Sequence, residues 1–260
     1  MSIPLSLSGK VALISGGSRG IGAATVRMFS AAGAKVAFSY RAARAQADAL
    51  AEECGPEACY PIAADLDNAA AGRDLVSKTV GHYGRLDILV ANHGVWPGVD
   101  VPIEEMADQQ WRSTLSINLD GVFGLVKYAV PQMKSQTHSG RAAGHIVLIS
   151  STSGQRGEAF HADYSASKGA LISMVKSLST ELAPHNIYVN CVAPGWVDTD
   201  MSTSALQDPK AGEEILRTIP LGRVGRPEEI AAPVLFLCTE YASFITGEVF
   251  NVNGGAVLIG

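Results

Sequence analysis

Seven short apolar runs, separated almost throughout by segments long enough for helices, constrain this chain more than any other feature. The runs cover residues 11–15, 35–40, 59–63, 88–92, 145–150, 188–192 and 249–252. They are rich in Val, Ile and Leu and do not alternate apolar with polar residues, which is the pattern of strands covered on both faces. Between them stand helix-length stretches such as 22–32, 45–54, 108–133 and 166–182. Strand, helix, strand in repetition builds a parallel sheet, because a parallel neighbour is reached only by a long, right-handed crossover. The expectation is an α/β architecture, one doubly wound domain over 1–260, with no repeat or low-complexity linker to divide it. Residues 135–144 are polar and read as an exposed insertion. Residues 199–217, between a Pro-Gly turn and the next helix, read as a segment able to close over a site.

Composition removes several function classes. The chain is 47% hydrophobic and 17% charged with a net charge of −5, which suits a large buried core and lacks the basic face of a nucleic-acid binder. No apolar stretch approaches the roughly 18 residues of a membrane span. The first residues, Met-Ser-Ile-Pro-Leu-Ser-Leu-Ser-Gly-Lys, lack the basic flank and apolar run of a signal peptide. Cys54, Cys59, Cys191 and Cys238 form no metal or redox pattern and read as reduced thiols of a cytoplasmic protein. Six histidines show no ligand spacing, so no metal is expected.

The first strand runs into Ser15-Gly16-Gly17-Ser18-Arg19-Gly20-Ile21-Gly22 and a helix follows at once. Glycines there allow a sharp turn and close approach of a pyrophosphate, and the helix N-terminus offers free N–H groups. The spacing is not G-x-G-x-x-G, so taken alone a ligand-free glycine turn stands equally open. At the end of the second strand, Phe38-Ser39-Tyr40-Arg41 carries no carboxylate to meet a ribose 2′-hydroxyl. Arg41 and Arg19 suit a 2′-phosphate instead, so NADP(H) is expected over NAD(H), with two solvated arginines as the plain alternative.

Tyr164-Ser165-Ala166-Ser167-Lys168 sets a tyrosine and a lysine one helical turn apart. A phenol with a pKa near ~10 is a poor base at neutral pH. A nearby ammonium favours the phenolate, so Lys168 is expected to lower the Tyr164 pKa. Upstream, Ser151-Thr152-Ser153-Gly154 follows a strand at the carboxyl edge, where sheets of this kind bind ligands.

Together these motifs resemble the short-chain dehydrogenase/reductase family over nearly the whole chain. The resemblance implies a Rossmann-type fold with strand order 3-2-1-4-5-6-7 and hydride transfer between nicotinamide and an alcohol or carbonyl substrate. It implies Asn118, Ser151, Tyr164 and Lys168 as the catalytic set. Tyr164 is the acid/base, Ser151 holds the substrate oxygen, Lys168 binds the nicotinamide ribose, and Asn118 keeps a water chain to solvent. The cofactor-binding set it implies begins with Gly16, Ser18, Arg19, Gly20, Ile21 and Gly22 in the first loop. Tyr40, Arg41, Asp65 and Leu66 follow on the adenine side. Asn92, Gly94, Tyr164 and Lys168 lie toward the nicotinamide, with Pro194, Gly195, Val197 and Thr199 at the carboxamide turn.

Three departures from the family pattern stand out. Asn-Asn-Ala-Gly is here Ala91-Asn92-His93-Gly94, which brings a bulky ring near the cofactor. Ser15 replaces a threonine, and Asn253 replaces an aspartate before Gly254-Gly255. Trp96, Phe160, His161, Trp196 and Met201 fall near the site mouth, as pocket lining or as plain packing.

The subgroup most resembled is the 3-oxoacyl-(acyl-carrier-protein) reductases, through residues 197–201 and Pro220-Leu221-Gly222-Arg223. Against it, Ala183-Pro184-His185-Asn186 offers no arginine to dock an acidic carrier. A homotetramer, or a homodimer, is implied through the helices at 108–133 and 166–182. The rival is a non-catalytic dinucleotide-binding sensor or scaffold on the same fold, which predicts a broken catalytic set.

Overall fold

The computed structural model describes residues 5–138 and 140–258, so the first four residues of the N-terminal stretch read for a signal peptide lie outside the described residues. Seven strands, β1 (Val11–Ile14), β2 (Lys35–Tyr40), β3 (Cys59–Ala63), β4 (Ile88–Ala91), β5 (Gly144–Ile149), β6 (Ile187–Pro194) and β7 (Val249–Val252), form one sheet. All six pairings are parallel, in the order β3-β2-β1-β4-β5-β6-β7.

The helices are α1 (Gly20–Ala31), α2 (Arg44–Cys54), α3 (Ala69–Tyr83), α4 (Asp108–Leu115), α5 (Gly121–Ser135), α6 (Thr152–Arg156), α7 (Ala162–Leu182), α8 (Thr203–Gln207), α9 (Pro209–Arg217) and α10 (Pro227–Leu237). The stretch expected as one helix over 108–133 is α4 and α5 joined by a π-turn, Ser116–Asp120. The helix carrying Tyr164 begins four residues earlier than its apolar pattern suggests, and its first turn holds the buried Asp163, whose carboxylate accepts the Tyr164 N–H at 2.9 Å.

Successive strand residues face opposite sides, so the sheet has two cores. On one side Ile14, Phe38, Val90 and Val192 pack with Val26, Phe29, Leu50 and Val234. On the other, Leu13, Leu89, Leu148 and Val189 pack with Leu75, Leu125, Met133 and Leu171. Each such side chain contributes roughly 1.5–3 kcal/mol by leaving water, which is why runs of consecutive apolar residues encode these strands.

The segment at 135–144 is exposed at Thr137, His138, Gly140 and Arg141, as read from the sequence, but is tied down at both ends. Gln136 accepts the Leu86 N–H at 3.1 Å and donates to the Leu86 carbonyl at 2.7 Å. Ala142 and Ala143 are buried, and Gly144 already belongs to β5. Strand order reverses between β1 and β4, and the crevice at their carboxyl ends is where such a sheet receives a ligand.

Candidate active site

A cleft of about 1290 Å³ opens over the carboxyl ends of the central strands. All the residues expected to bind cofactor line it, as do Ser151, Tyr164 and Lys168. Asn118 does not: it is fully buried just behind the wall.

The glycine loop is pinned by two residues, Ser39 and Asn92. The Gly16 N–H donates to the Ser39 hydroxyl at 3.0 Å, the Gly17 N–H donates to the Ser39 carbonyl at 2.8 Å, and Asn92 Nδ2 donates to the carbonyls of Ser15 and Gly16. Gly16 has φ +65°, a left-handed conformation that glycine adopts without strain. A Cβ on Gly22 would lie 2.1 Å from the Gly16 carbonyl oxygen, so only glycine lets the helix meet the loop here. α1 then starts with no side-chain cap and no acidic residue in its first turn. By contrast α3, α6 and α9 are capped by Asn68, Ser151 and Asp208. The uncapped positive end of α1 faces the cleft, which fits a pyrophosphate.

At the adenine side, Tyr40 is half-buried and Arg41 exposed, with Asp65 exposed on the neighbouring strand end and Leu66 buried below it. No carboxylate terminates β2. Arg19 is engaged: its Nη1 donates to Asp200 Oδ2 at 3.3 Å, and both side chains remain largely in solvent.

At the other end, Ser151 caps α6 by accepting the Ser153 N–H at 3.1 Å, which holds its hydroxyl at the edge of β5. Tyr164 is buried, and burial pushes its phenol up to about 12, with a hydrogen bond from Ser151 pulling the other way. Lys168 Nζ donates to the Ile149 carbonyl at 2.9 Å and sits 5.9 Å from the centre of the Tyr164 ring. Burial pushes this amine down to about 8. The expectation that Lys168 lowers the Tyr164 pKa is therefore corrected for the protein alone: burial dominates, and the ammonium is directed at a backbone carbonyl.

Asn118 lies on the π-turn, where the widened helix presents it inward. Its Oδ1 accepts the Val95 N–H at 2.8 Å, and its Nδ2 donates to the Val95 carbonyl and to Ser167 Oγ. A Cβ on Gly94 would lie 3.2 Å from both Asn118 Oδ1 and Lys168 Nζ, so the bare glycine keeps a gap between them.

The departures resolve locally. His93 turns its ring inward, beneath the loop. Ser15 Oγ accepts the Asn92 and His93 N–H groups, so its own proton goes to His93 Nδ1 at 2.7 Å. Burial first, and then the Lys168 charge, push His93 down to about 4. Asn253 donates to the Val257 carbonyl at 3.0 Å, a bond an ionised aspartate could not make, and backs Gly195.

Two features escaped the sequence reading. Asp163, fully buried, accepts from Thr114 and Gln110 and so ties the start of α7 to α4. Its only sequence signal is an acidic residue in a first helical turn. The aromatic residues at the mouth are arranged as a corner: Trp96 stands edge-on to His161 and to Trp196.

The family model described as enoyl-(acyl carrier protein) reductase matches residues 16–257. A 3-oxoacyl-(acyl-carrier-protein) reductase of Thermotoga maritima is 38% identical over 256 residues, covering 98% of this chain and all of its own. The chain belongs to the short-chain dehydrogenase/reductase family. Among solved structures, a short-chain dehydrogenase/reductase of Brucella melitensis described as glucose/ribitol dehydrogenase superposes with TM-score 0.89 at 36% identity, over 99% of this chain and 100% of its own. A blue fluorescent protein from a metagenomic library, solved in complex with NADPH, superposes with TM-score 0.88 at 33% identity, over 97% and 100%. This short-chain dehydrogenase/reductase is thus an oxidoreductase. Among its described residues no helix is long and apolar enough to cross a membrane, and no group of three or more His, Cys, Asp or Glu is placed to hold a metal ion.

Proposed function

We propose that this oxidoreductase reduces a ketone to a secondary alcohol with NADPH, taking 3-oxoacyl thioesters as its substrate class. The observation that carries this reading is the meeting of two buried hydroxyls, Ser151 and Tyr164, on the cleft that also holds the glycine loop. Two donors at one point suit an oxygen that gains negative charge as the bond to carbon is reduced. A 3-oxoacyl chain carries that oxygen on the reduced carbon, whereas an enoyl chain presents a C=C bond there. The relative from Thermotoga maritima supports the former by its description.

NADPH, when bound, supplies the hydride. It would be held by the loop from Gly16 to Gly22, by Arg19 and Arg41 at the 2′-phosphate, by Asp65 and Leu66 near adenine, and by 194–199 at the carboxamide. Tyr164 gives its proton to the substrate oxygen. A phenol held near 12 is fully protonated at neutral pH and so is poised as an acid in the reductive direction. Ser151 donates the second hydrogen bond. Lys168, charged below about 8, holds the ribose side and restores the proton to Tyr164, its own proton being replaced through the gap between it and Asn118 beside Gly94.

The segment carrying α8 and α9 is proposed as the lid, since Met201, Ala205 and Ile215 line the cleft from it. A cytoplasmic homotetramer is proposed, assembled on the α4–α5 and α7 faces, where Trp111 and Phe123 remain exposed. The complete set of Asn118, Ser151, Tyr164 and Lys168 weighs against a non-catalytic sensor.

The test is oxidation of NADPH, followed by absorbance, with 3-oxoacyl and enoyl thioesters offered in parallel and Tyr164→Phe as control. Consumption with enoyl substrates alone would overturn the ketone assignment.

A further inference from the structure

Beyond carbonyl reduction as such, and resting on that reading, the corner beside Tyr164 is built for a particular kind of substituent. Trp96 meets His161 with ring centres 4.9 Å apart and planes at 71°, and meets Trp196 at 5.8 Å and 85°. All three residues line the cleft, and His161 precedes Tyr164 by one helical turn. A Cβ on Gly98 would lie 3.5 Å from the Trp96 ring and 3.8 Å from Ser204 Oγ, so the first residues of α8 stand behind the corner.

Two local costs are concentrated at this corner. Phe160 has φ +66°, a left-handed conformation that is a genuine outlier for a bulky side chain. Its carbonyl accepts the Val101 N–H at 3.2 Å, and it is this turn that delivers His161 to the start of α7. His161 itself is 2% exposed, and its Nδ1 has no hydrogen-bond partner. Backbone strain and an unpaired buried nitrogen each disfavour the fold, and such costs gather where a site needs them. Core packing alone does not account for them, because about half of the Phe160 surface stays in solvent (51% exposed).

Two indoles in edge-to-face contact at nearly right angles offer ring surface of both orientations to whatever packs against the corner from the cleft. That arrangement gains more from a planar ring than from a flexible chain, through offset-stacked and edge-to-face contacts. The carboxylates of Asp100 and Glu158 lie 3.8 and 3.9 Å from His161 Nε2, so the corner disfavours an anionic group. We propose that Trp96, Trp196 and His161 form a recognition corner for an uncharged planar ring carried on the ketone, making aryl and cyclic ketones preferred over acyclic ones.

The test compares kcat/KM for NADPH-dependent reduction of acetophenone against methyl hexyl ketone, and of a benzoylacetyl thioester against an acetoacetyl thioester. The ring-bearing partner is expected to be favoured about tenfold or more in each pair, and Trp96→Leu and Trp196→Leu each to cut that ratio by roughly threefold to tenfold. Equal turnover, or preference for the acyclic partner, overturns the corner while leaving carbonyl reduction intact. Quenching of tryptophan fluorescence by acetophenone tests the corner without turnover: saturable quenching that weakens in Trp96→Leu supports it. Non-saturating quenching that is the same in both proteins overturns it, even if no carbonyl is reduced.

Discussion

Arg19 Nη1 lies 3.3 Å from Asp200 Oδ2, joining the glycine loop to the segment that leads into α8. Both side chains are mostly in solvent, so the pair is weak and a 2′-phosphate can take the guanidinium from it. Arg19→Ala is expected to raise the Kd for NADPH about tenfold or more and to leave NADH nearly unchanged. Asp200→Asn should tighten NADPH a few-fold by releasing the arginine. Titration of bound-cofactor fluorescence reads both, and equal losses for NADPH and NADH in Arg19→Ala would refute the phosphate role.

The ionisation of Tyr164 and Lys168 sets opposite pH profiles for the two directions. Reduction needs the phenol protonated and the amine charged, so its rate should be flat near neutrality and decline as pH rises through about 8. Alcohol oxidation needs the phenolate, which burial opposes, so it should climb well into the alkaline range. Tyr164→Phe should lose roughly 10²–10⁴-fold in kcat while still binding NADPH. An oxidation rate that peaks at neutral pH would contradict this assignment.

Filling the gap at Gly94 separates proton supply from binding. A methyl group there would sit 3.2 Å from both Asn118 Oδ1 and Lys168 Nζ, tight enough to displace one of them. Gly94→Ala is expected to lower kcat about tenfold or more, with a smaller change in the NADPH dissociation constant. A loss confined to cofactor affinity would count against the role given to the gap.

Two buried histidines make the fold acid-sensitive. His93 and His145 are both held down to about 4 by burial. The unfolded chain therefore binds more protons than the folded one once pH falls below the ordinary histidine value. Stability is fully present above roughly 6.5 and is lost as pH falls from there toward about 4, by up to ~1.4 kcal/mol per pH unit for each ring. Denaturant midpoints measured over that window should fall, and His145→Phe should make the fall shallower.

The strands at 35–40, 59–63 and 249–252 have the same bounds in the structure as in the sequence, because polar or glycine residues stand within two positions of each end of these runs. The residues that line the two ends of the cleft were legible because a glycine loop and a Pro-Gly turn leave local marks. What was not legible depends on partners distant in the chain. Nothing near Lys168 announces that its amine will meet the Ile149 carbonyl, nor does Arg19 announce Asp200. The inward fold of the His93 ring follows from Ser15 having its lone pairs taken by two N–H groups, a count that only the assembled loop reveals.

The π-turn at Ser116–Asp120 has a genetic meaning as well as a geometric one. A π-turn holds one residue more than the α-turn it replaces. Removing a single codon between 116 and 120 would rewind the segment into ordinary α-helix, leave α4 and α5 continuous, and swing the Asn118 position about 100° around the axis. The bridge to Val95 and Ser167 would be lost while the sheet stayed whole. In this chain a one-residue length change within 116–120 would remove the Asn118 bridge as surely as a substitution at Asn118 itself.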